Sequence, residues 1–252
     1  MLRPRLSVFL MYKDRELIKS KNFIDSRYLG DPLNAVNIYN DMNIDELIIM
    51  DVGASIQNKT PNYELIENIG AIARMPVCYG GGIKNINQIE KIISFGIEKV
   101  SISSEAYCSD IIIKSSQKFG SQSIVCCIDV RFSDELGKYE VFTHRGTQKI
   151  NKSLEQLISF FHETGAGEII FNDIDRDGTY KGFDQNLLSK VFSLTKIPIS
   201  FVGGLSSLDE VSLLSNKFGN FGIAAGSLWS FLGQDGPVLI NYPINRKKSL
   251  FK

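Results

Sequence analysis

The chain has 252 residues, 43% hydrophobic and 22% charged, and its 28 basic and 28 acidic side chains leave a formal net charge of zero. A chain of this length buries about 70–75% of its unfolded surface, so it needs no disulfide to hold a core. Zero net charge argues against a general nucleic-acid or membrane-surface binder. The N-terminal stretch MLRPRLSVFLMYKDRE has too short an apolar run for a signal peptide or a membrane span.

Leu6–Met11 reads as a strand, and Tyr12–Asp31, long, charged and poor in glycine, as an extended loop. Asp31-Pro32 then starts a helix, with an acid at the N-cap and proline in the first turn, running to about Asn43. Glu46–Asp51 is the second strand. Beyond Pro61-Asn62, apolar residues at Leu65, Ile66, Ile69, Ile72 and Ala73 keep a helical period. Val77-Cys78-Tyr79 is a brief strand that ends in Gly80-Gly81-Gly82. The helix after it carries Ile86, Ile89, Ile92 and Ile93 and stops at Gly96. Lys99–Ser103 is a strand and Cys108–Phe119 a helix; Ser123–Asp129 is the fifth strand, followed by a hairpin arm at Lys138–His144. Ser153–Thr164 is a helix. Ile169–Thr179, IIFNDIDRDGT, begins as a strand suited to burial on both faces and breaks into Asp173, Asp175, Arg176, Asp177 and Gly178. Gln185–Leu194 and Leu208–Leu214 are helices, and Ile199–Val202 and Gly222–Ala225 are the last strands.

Eight strands, each followed by a helix, predict a single (β/α)8 TIM barrel over residues 1–252, with an open doubly wound sheet as the alternative. The chain also repeats itself. Glu46–Asp51 answers Glu168–Asp173, Gly81-Gly82 answers Gly203-Gly204, and Ser103-Ser104 answers Gly226-Ser227, each about 122–123 positions apart. The barrel is therefore read as two half-barrels.

Cys78, Cys108, Cys126 and Cys127 form no C-x-x-C motif, and neither His144 nor His162 lies near a cysteine in sequence. No metal or cofactor is expected, and reduced cysteines in the cytoplasm are the simplest account. Cys126 and Cys127 should face opposite sides of their strand. Arg246, Lys247, Lys248 and Lys252 read as a solvated basic tail.

Small-residue turns at strand ends let backbone N–H groups approach an anion. Gly81 and Gly82 with Ser103 and Ser104 would make one such site, and Gly203 and Gly204 with Gly226 and Ser227 a second, which implies a small ligand phosphorylated at both ends. Tight strand–helix packing is the competing account of these glycines. Between the sites, strand-end carboxylates are candidates for acid–base chemistry. Asp129 is the sharpest, and the repeat places Met11, which transfers no proton, across the barrel from it.

GGGI, KVSIS, FGSQ, CID, GAGEI and IDRDGT, in this order, make the chain resemble the cyclase subunit of imidazole glycerol phosphate synthase over nearly its whole length. In that family a glutaminase subunit releases ammonia at the barrel bottom. The ammonia crosses the barrel and joins a two-phosphate ribulosyl substrate, which is cut into imidazole glycerol phosphate and an aminoimidazole carboxamide ribotide. The resemblance implies ligand contacts at Lys19, Gly82, Ser103, Ser104, Asp177, Gly178, Gly204, Gly226 and Ser227. It implies an ammonia gate at Arg5, Glu46, Lys99 and Glu168, with a purely structural ion ring as the competing account.

The sequence departs from the family at the top of the barrel. Of two catalytic aspartates only Asp129 is kept, with Met11 in place of the other, and two hydroxyl positions are Asn172 and Val202. The expectation is a barrel that partners a glutaminase and passes ammonia onward, as in paralogues linked to surface-polysaccharide sugar amidation and a separate sugar amidotransferase, with impaired cyclisation. The alternative is an active cyclase of histidine biosynthesis in which another acid, Asp14 being nearest, replaces the missing one.

Overall fold

The computed structural model describes residues 3–24, 26–107, 110–233 and 236–243. Cys108, Arg246, Lys247, Lys248 and Lys252 lie outside the described residues. In chain order the strands are β1 (Arg5–Lys13), β2 (Glu16–Lys19), β3 (Arg27–Gly30), β4 (Glu46–Asp51), β5 (Val77–Gly80), β6 (Lys99–Ile102), β7 (Ile124–Ser133), β8 (Lys138–Thr143), β9 (Gln148–Lys149), β10 (Glu168–Asp173), β11 (Ile199–Val202) and β12 (Gly222–Ala225). The helices are α1 (Pro32–Asp41), α2 (Val52–Ile56), α3 (Tyr63–Ile72), α4 (Ile86–Ser94), α5 (Ile111–Phe119), α6 (Leu154–Thr164), α7 (Gln185–Leu194), α8 (Leu208–Phe218) and α9 (Ser227–Ser230).

Strands β1, β4, β5, β6, β7, β10, β11 and β12 pair in parallel, and β12 returns to β1 through Arg5↔Gly222 and Leu6↔Ile223. The sheet is closed, a (β/α)8 TIM barrel, and the open sheet is excluded. The helices form where local chemistry starts them. Asp31 caps α1 by accepting from the Asn34 N–H at 2.8 Å. Asn85 with Gln88, and Ser153 with Gln156, make capping boxes at α4 and α6.

Alternation along the strands separates two apolar regions. Phe9, Met11, Ile48, Cys78, Val125, Cys127, Ile170, Val202 and Ala224 fill the barrel interior. Cys126 packs instead with the larger core between sheet and helices, so the two adjacent cysteines do face opposite sides. Among the described residues no helix is long and apolar enough to cross a membrane.

The expected loop over Tyr12–Asp31 is a correction. Most of it is an antiparallel arm, β2 on β1 through Met11↔Ile18 and Tyr12↔Leu17, and β3 on β2. Its two-residue turn, Asp14-Arg15, has φ of 49° and 73°. That is the left-handed pairing a hairpin wants, made here without the glycine that usually signals it. Leu17 and Ile18 then bury against the barrel. The second half-barrel carries a matching arm, with β8 antiparallel on β7 and β9 on β8. The helix expected from Cys108 begins, as described, at Ile111, after a 3-10 turn at Ser104–Tyr107. Helix α8 runs one turn past its expected end at Leu214.

The repeat is visible in atomic detail. Asp51 accepts from the N–H groups of Gly53 and Ala54, and Asp173 from those of Asp175 and Arg176. Gly81 and Gly203 lie under these turns at φ of 121° and 107°, where a Cβ would sit 2.4 Å from the Asp51 carbonyl oxygen and 2.5 Å from that of Asp173. Both positions demand glycine for packing alone. Gly81→Ala and Gly203→Ala should each lower stability by more than about 1 kcal/mol, seen as a fall in Tm for each variant.

Candidate functional site at the two ends of the barrel

At the N-terminal end of the strands, Arg5, Glu46, Lys99 and Glu168 converge from β1, β4, β6 and β10 into one alternating ring. Lys99 Nζ lies 2.7 Å from Glu46 Oε1 and 2.8 Å from Glu168 Oε2. Arg5 Nε stands 2.9 Å from Glu46 Oε2, an ion pair by distance without hydrogen-bond alignment, and Arg5 Nη2 donates to Glu168. Each cation meets two carboxylates and each carboxylate meets two cations. Hydroxyls complete the acceptors: Ser7 donates to Glu46 at 2.6 Å and Ser200 to Glu168 at 2.6 Å. Both carboxylates are buried. Burial works against the charge on Glu168, but Arg5 and Lys99 outweigh it and hold its pKa below the ordinary carboxylate value. Lys99 and Arg5 are shifted up by the same balance. Burial, then Glu46 and Glu168, pushes the Cys78 thiol well up, which keeps it protonated just above the ring.

The bore above the ring is walled mainly by Phe9, Ile48, Cys78, Val125, Ile170 and Ala224. Ser101 Oγ, two residues on from Lys99, is buried without a hydrogen-bond partner among the described residues and borders the cavity above.

At the C-terminal end of the strands lies a cavity of about 240 Å³. Gly82, Ser103, Ser104, Asp129 and Asn172 all line it. Asp129 keeps some surface open to this space, and burial pushes its pKa up to about 7 against the hydrogen bond from Asn172, 3.0 Å long. It is therefore poised between acid and base near neutral pH. Met11 lines the same cavity at 2% exposure, beside Met50 on β4. Asp14, the other acid considered for the missing role, sits in the exposed β1–β2 turn outside this lining, 3.4 Å from Gln57 Nε2.

The second set of expected ligand positions is arranged differently. Lys19, Asp177, Gly178, Gly204, Gly226 and Ser227 border a crevice of about 10 Å³, room for roughly one water. Lys19 fills it. Its Nζ pairs with Asp177 Oδ1 at 2.8 Å, both groups are 4% exposed, and its stem lies 2.9 Å from where a Cβ on Gly226 would be. Ser20 Oγ donates to the other Asp177 oxygen at 2.9 Å. The acid knot after β10 thus divides its work: Asp173 holds its own turn, Asp175 pairs with Arg131 at 3.0 Å, and Asp177 clasps the β2–β3 arm.

Several residues here escaped the sequence reading. Ser7 and Ser200 brace the ring; Ser7 is two positions beyond Arg5 on the same strand, so alternation could have found it. Phe23, Lys84, His144 and Arg145 line the upper cavity; Phe23 and Arg145 are 122 positions apart, the spacing of the repeat, which could have pointed to them as a pair. Among the described residues no group of three His, Cys, Asp or Glu side chains could hold a metal ion.

The family model for histidine biosynthesis proteins matches residues 13–231. A protein of Leptospira borgpetersenii, provisionally named imidazole glycerol phosphate synthase subunit HisF, is 46% identical over 253 residues and all of both chains. Provisionally named hisF3 of Vibrio vulnificus is 42% identical over 99% of this chain and 97% of its own. Provisionally named hisF2 of Pseudomonas aeruginosa is 42% identical over 96% of this chain and 97% of its own. With the closed barrel, this likeness over its whole length makes the chain a member of the HisF-like imidazole glycerol phosphate synthase subunits within the histidine biosynthesis protein family.

Proposed function

We propose that the protein docks a glutaminase subunit beneath the ring of Arg5, Glu46, Lys99 and Glu168, conducts ammonia through its barrel in the cytoplasm, and releases it to a separate amidotransferase for amidation of a surface-polysaccharide sugar. One observation carries this reading: the lower ring is complete, while the upper cavity has Met11 where a second carboxylate would serve Asp129. Neutral ammonia suits the mostly apolar bore, whereas ammonium would pay heavily to leave water. Passage requires one pair of the ring to part, because its cations and anions alternate without a gap.

In this reading the upper cavity receives the phosphate of a small ligand at Gly82, Ser103 and Ser104. Lys19, Asp177, Gly178, Gly204, Gly226 and Ser227 form a second anion position that opens only when Lys19 leaves Asp177.

Copurification with the organism's HisF-partnering glutaminase tests the docking, with glutamine hydrolysis measured with and without the barrel. Stimulated hydrolysis is expected. A glutaminase that neither binds nor responds would sink the reading. The second reading, a working cyclase, is favoured by the open position of Asp129 and its pKa near 7.

A further inference from the structure

Two hairpin tips meet over the upper cavity. On the first arm Asn22 and Phe23 have φ of 52° and 64°; on the second His144 and Arg145 have φ of 51° and 59°, followed by Gly146 at 74°. The tips stand 122 positions apart, close to the spacing of the chain repeat. Arg145 Nη2 bridges them by donating to the Phe23 carbonyl at 3.1 Å. Consecutive left-handed residues with a Cβ are disfavoured, and such conformations gather where a site needs a side chain aimed in one direction. Glycine or asparagine would make this tip at less cost.

Phe23, His144 and Arg145 all line the cavity. Arg145 is half-buried and, among the described residues, pairs with no carboxylate; a guanidinium has five N–H donors, and the Phe23 carbonyl takes one. The other cation in the lining, Lys84, bonds to neutral Asn58. Of the carboxylates in the lining, Asp51 accepts two backbone N–H groups, and Asp129 accepts from Asn172 while burial favours its neutral form. Glu105 has an interaction of its own. In the same lining, the Gly82, Ser103 and Ser104 turns offer donors but no full positive charge.

We propose that Arg145 is a ligand-binding residue, the roof cation that closes on a phosphate monoester seated at the Gly82, Ser103 and Ser104 turns. The assignment rests on the phosphate reading above. The probe is ribose 5-phosphate, titrated calorimetrically up to millimolar concentration into the full chain. Arg145→Gly is expected to weaken binding about 10–100-fold, the loss of a hydrogen bond to a charged group, and to raise Tm by relieving the left-handed residue. Arg145→Lys should retain part of the affinity.

Wild-type protein that binds the probe while Arg145→Gly binds equally well would overturn the Arg145 assignment alone. So would a fall in Tm with unchanged affinity, which would make the residue a strut to Phe23. Wild-type protein that does not bind the probe would overturn the phosphate reading and the roof cation with it.

Discussion

Replacing Glu168 with alanine should cost about 3–5 kcal/mol of stability, the range for removing one partner of a buried ion pair. Glu168 accepts from Arg5, Lys99 and Ser200 together. Its loss leaves two partly buried cations sharing one carboxylate and a hydroxyl without its acceptor. Urea unfolding of the variant reads the loss directly; a change under about 1 kcal/mol would show that water compensates the ring. Apolar replacement of all four ring residues should cost far less, because no charge is then stranded. On the function proposed above, the two variants separate stability from transport: the apolar ring should fold but no longer control ammonia passage from a bound glutaminase.

The ring also sets a pH dependence. The folded pKa of Glu168 lies below its ordinary value of 4.5, so its contribution is fully present above that value and is lost as pH falls through the folded one. Lys99 is shifted up from 10.5, so its contribution is lost only as pH rises through that raised pKa. Glu168→Ala should therefore differ most from wild type between these limits and approach it in acid.

With ammonium salt and the ribulosyl bisphosphate substrate, turnover should fall about 10²–10⁴-fold below an ordinary cyclase, the usual worth of one acid–base partner. Met11 is 2% exposed, and Ser20 Oγ lies 3.8 Å from its sulfur. Asp129 could supply one proton transfer near pH 7, but its partner position offers only a thioether. Met11→Asp alone should restore little. A carboxylate in that apolar corner would be pushed toward its neutral form by burial, and Asn172, in the cavity lining, and Val202, paired with it on β11, would remain unchanged. Turnover at an ordinary cyclase rate in the wild type would remove the case for impaired cyclisation. Strong rescue by Met11→Asp would show that the rest of the pocket is competent.

Much of this protein is legible in its sequence because the signals are local or periodic. The buried strands Glu46–Asp51, Ile199–Val202 and Gly222–Ala225 and helix Gln185–Leu194 lie where the apolar patterning placed them. The repeat of Glu46–Asp51 as Glu168–Asp173 announced the half-barrels, and the turns at Asp51 and Asp173 are built alike. The first arm was hidden for a local reason: its turn uses Asp14 and Arg15 in left-handed conformations without glycine. Gly81 and Gly203 were read first as anion sites, yet close approach to the Asp51 and Asp173 carbonyls already requires them.

The sequence by itself determined the barrel, its two-fold repeat and its membership in a family, since burial periodicity and short motifs depend on residues near one another in the chain. Only the tertiary structure decided how Arg5, Glu46, Lys99 and Glu168 share their charges, that Lys19 is spent on Asp177, and that Arg145 overhangs the upper cavity. Those outcomes depend on angles and distances between side chains up to 163 positions apart, and spacing in sequence carries no measure of them.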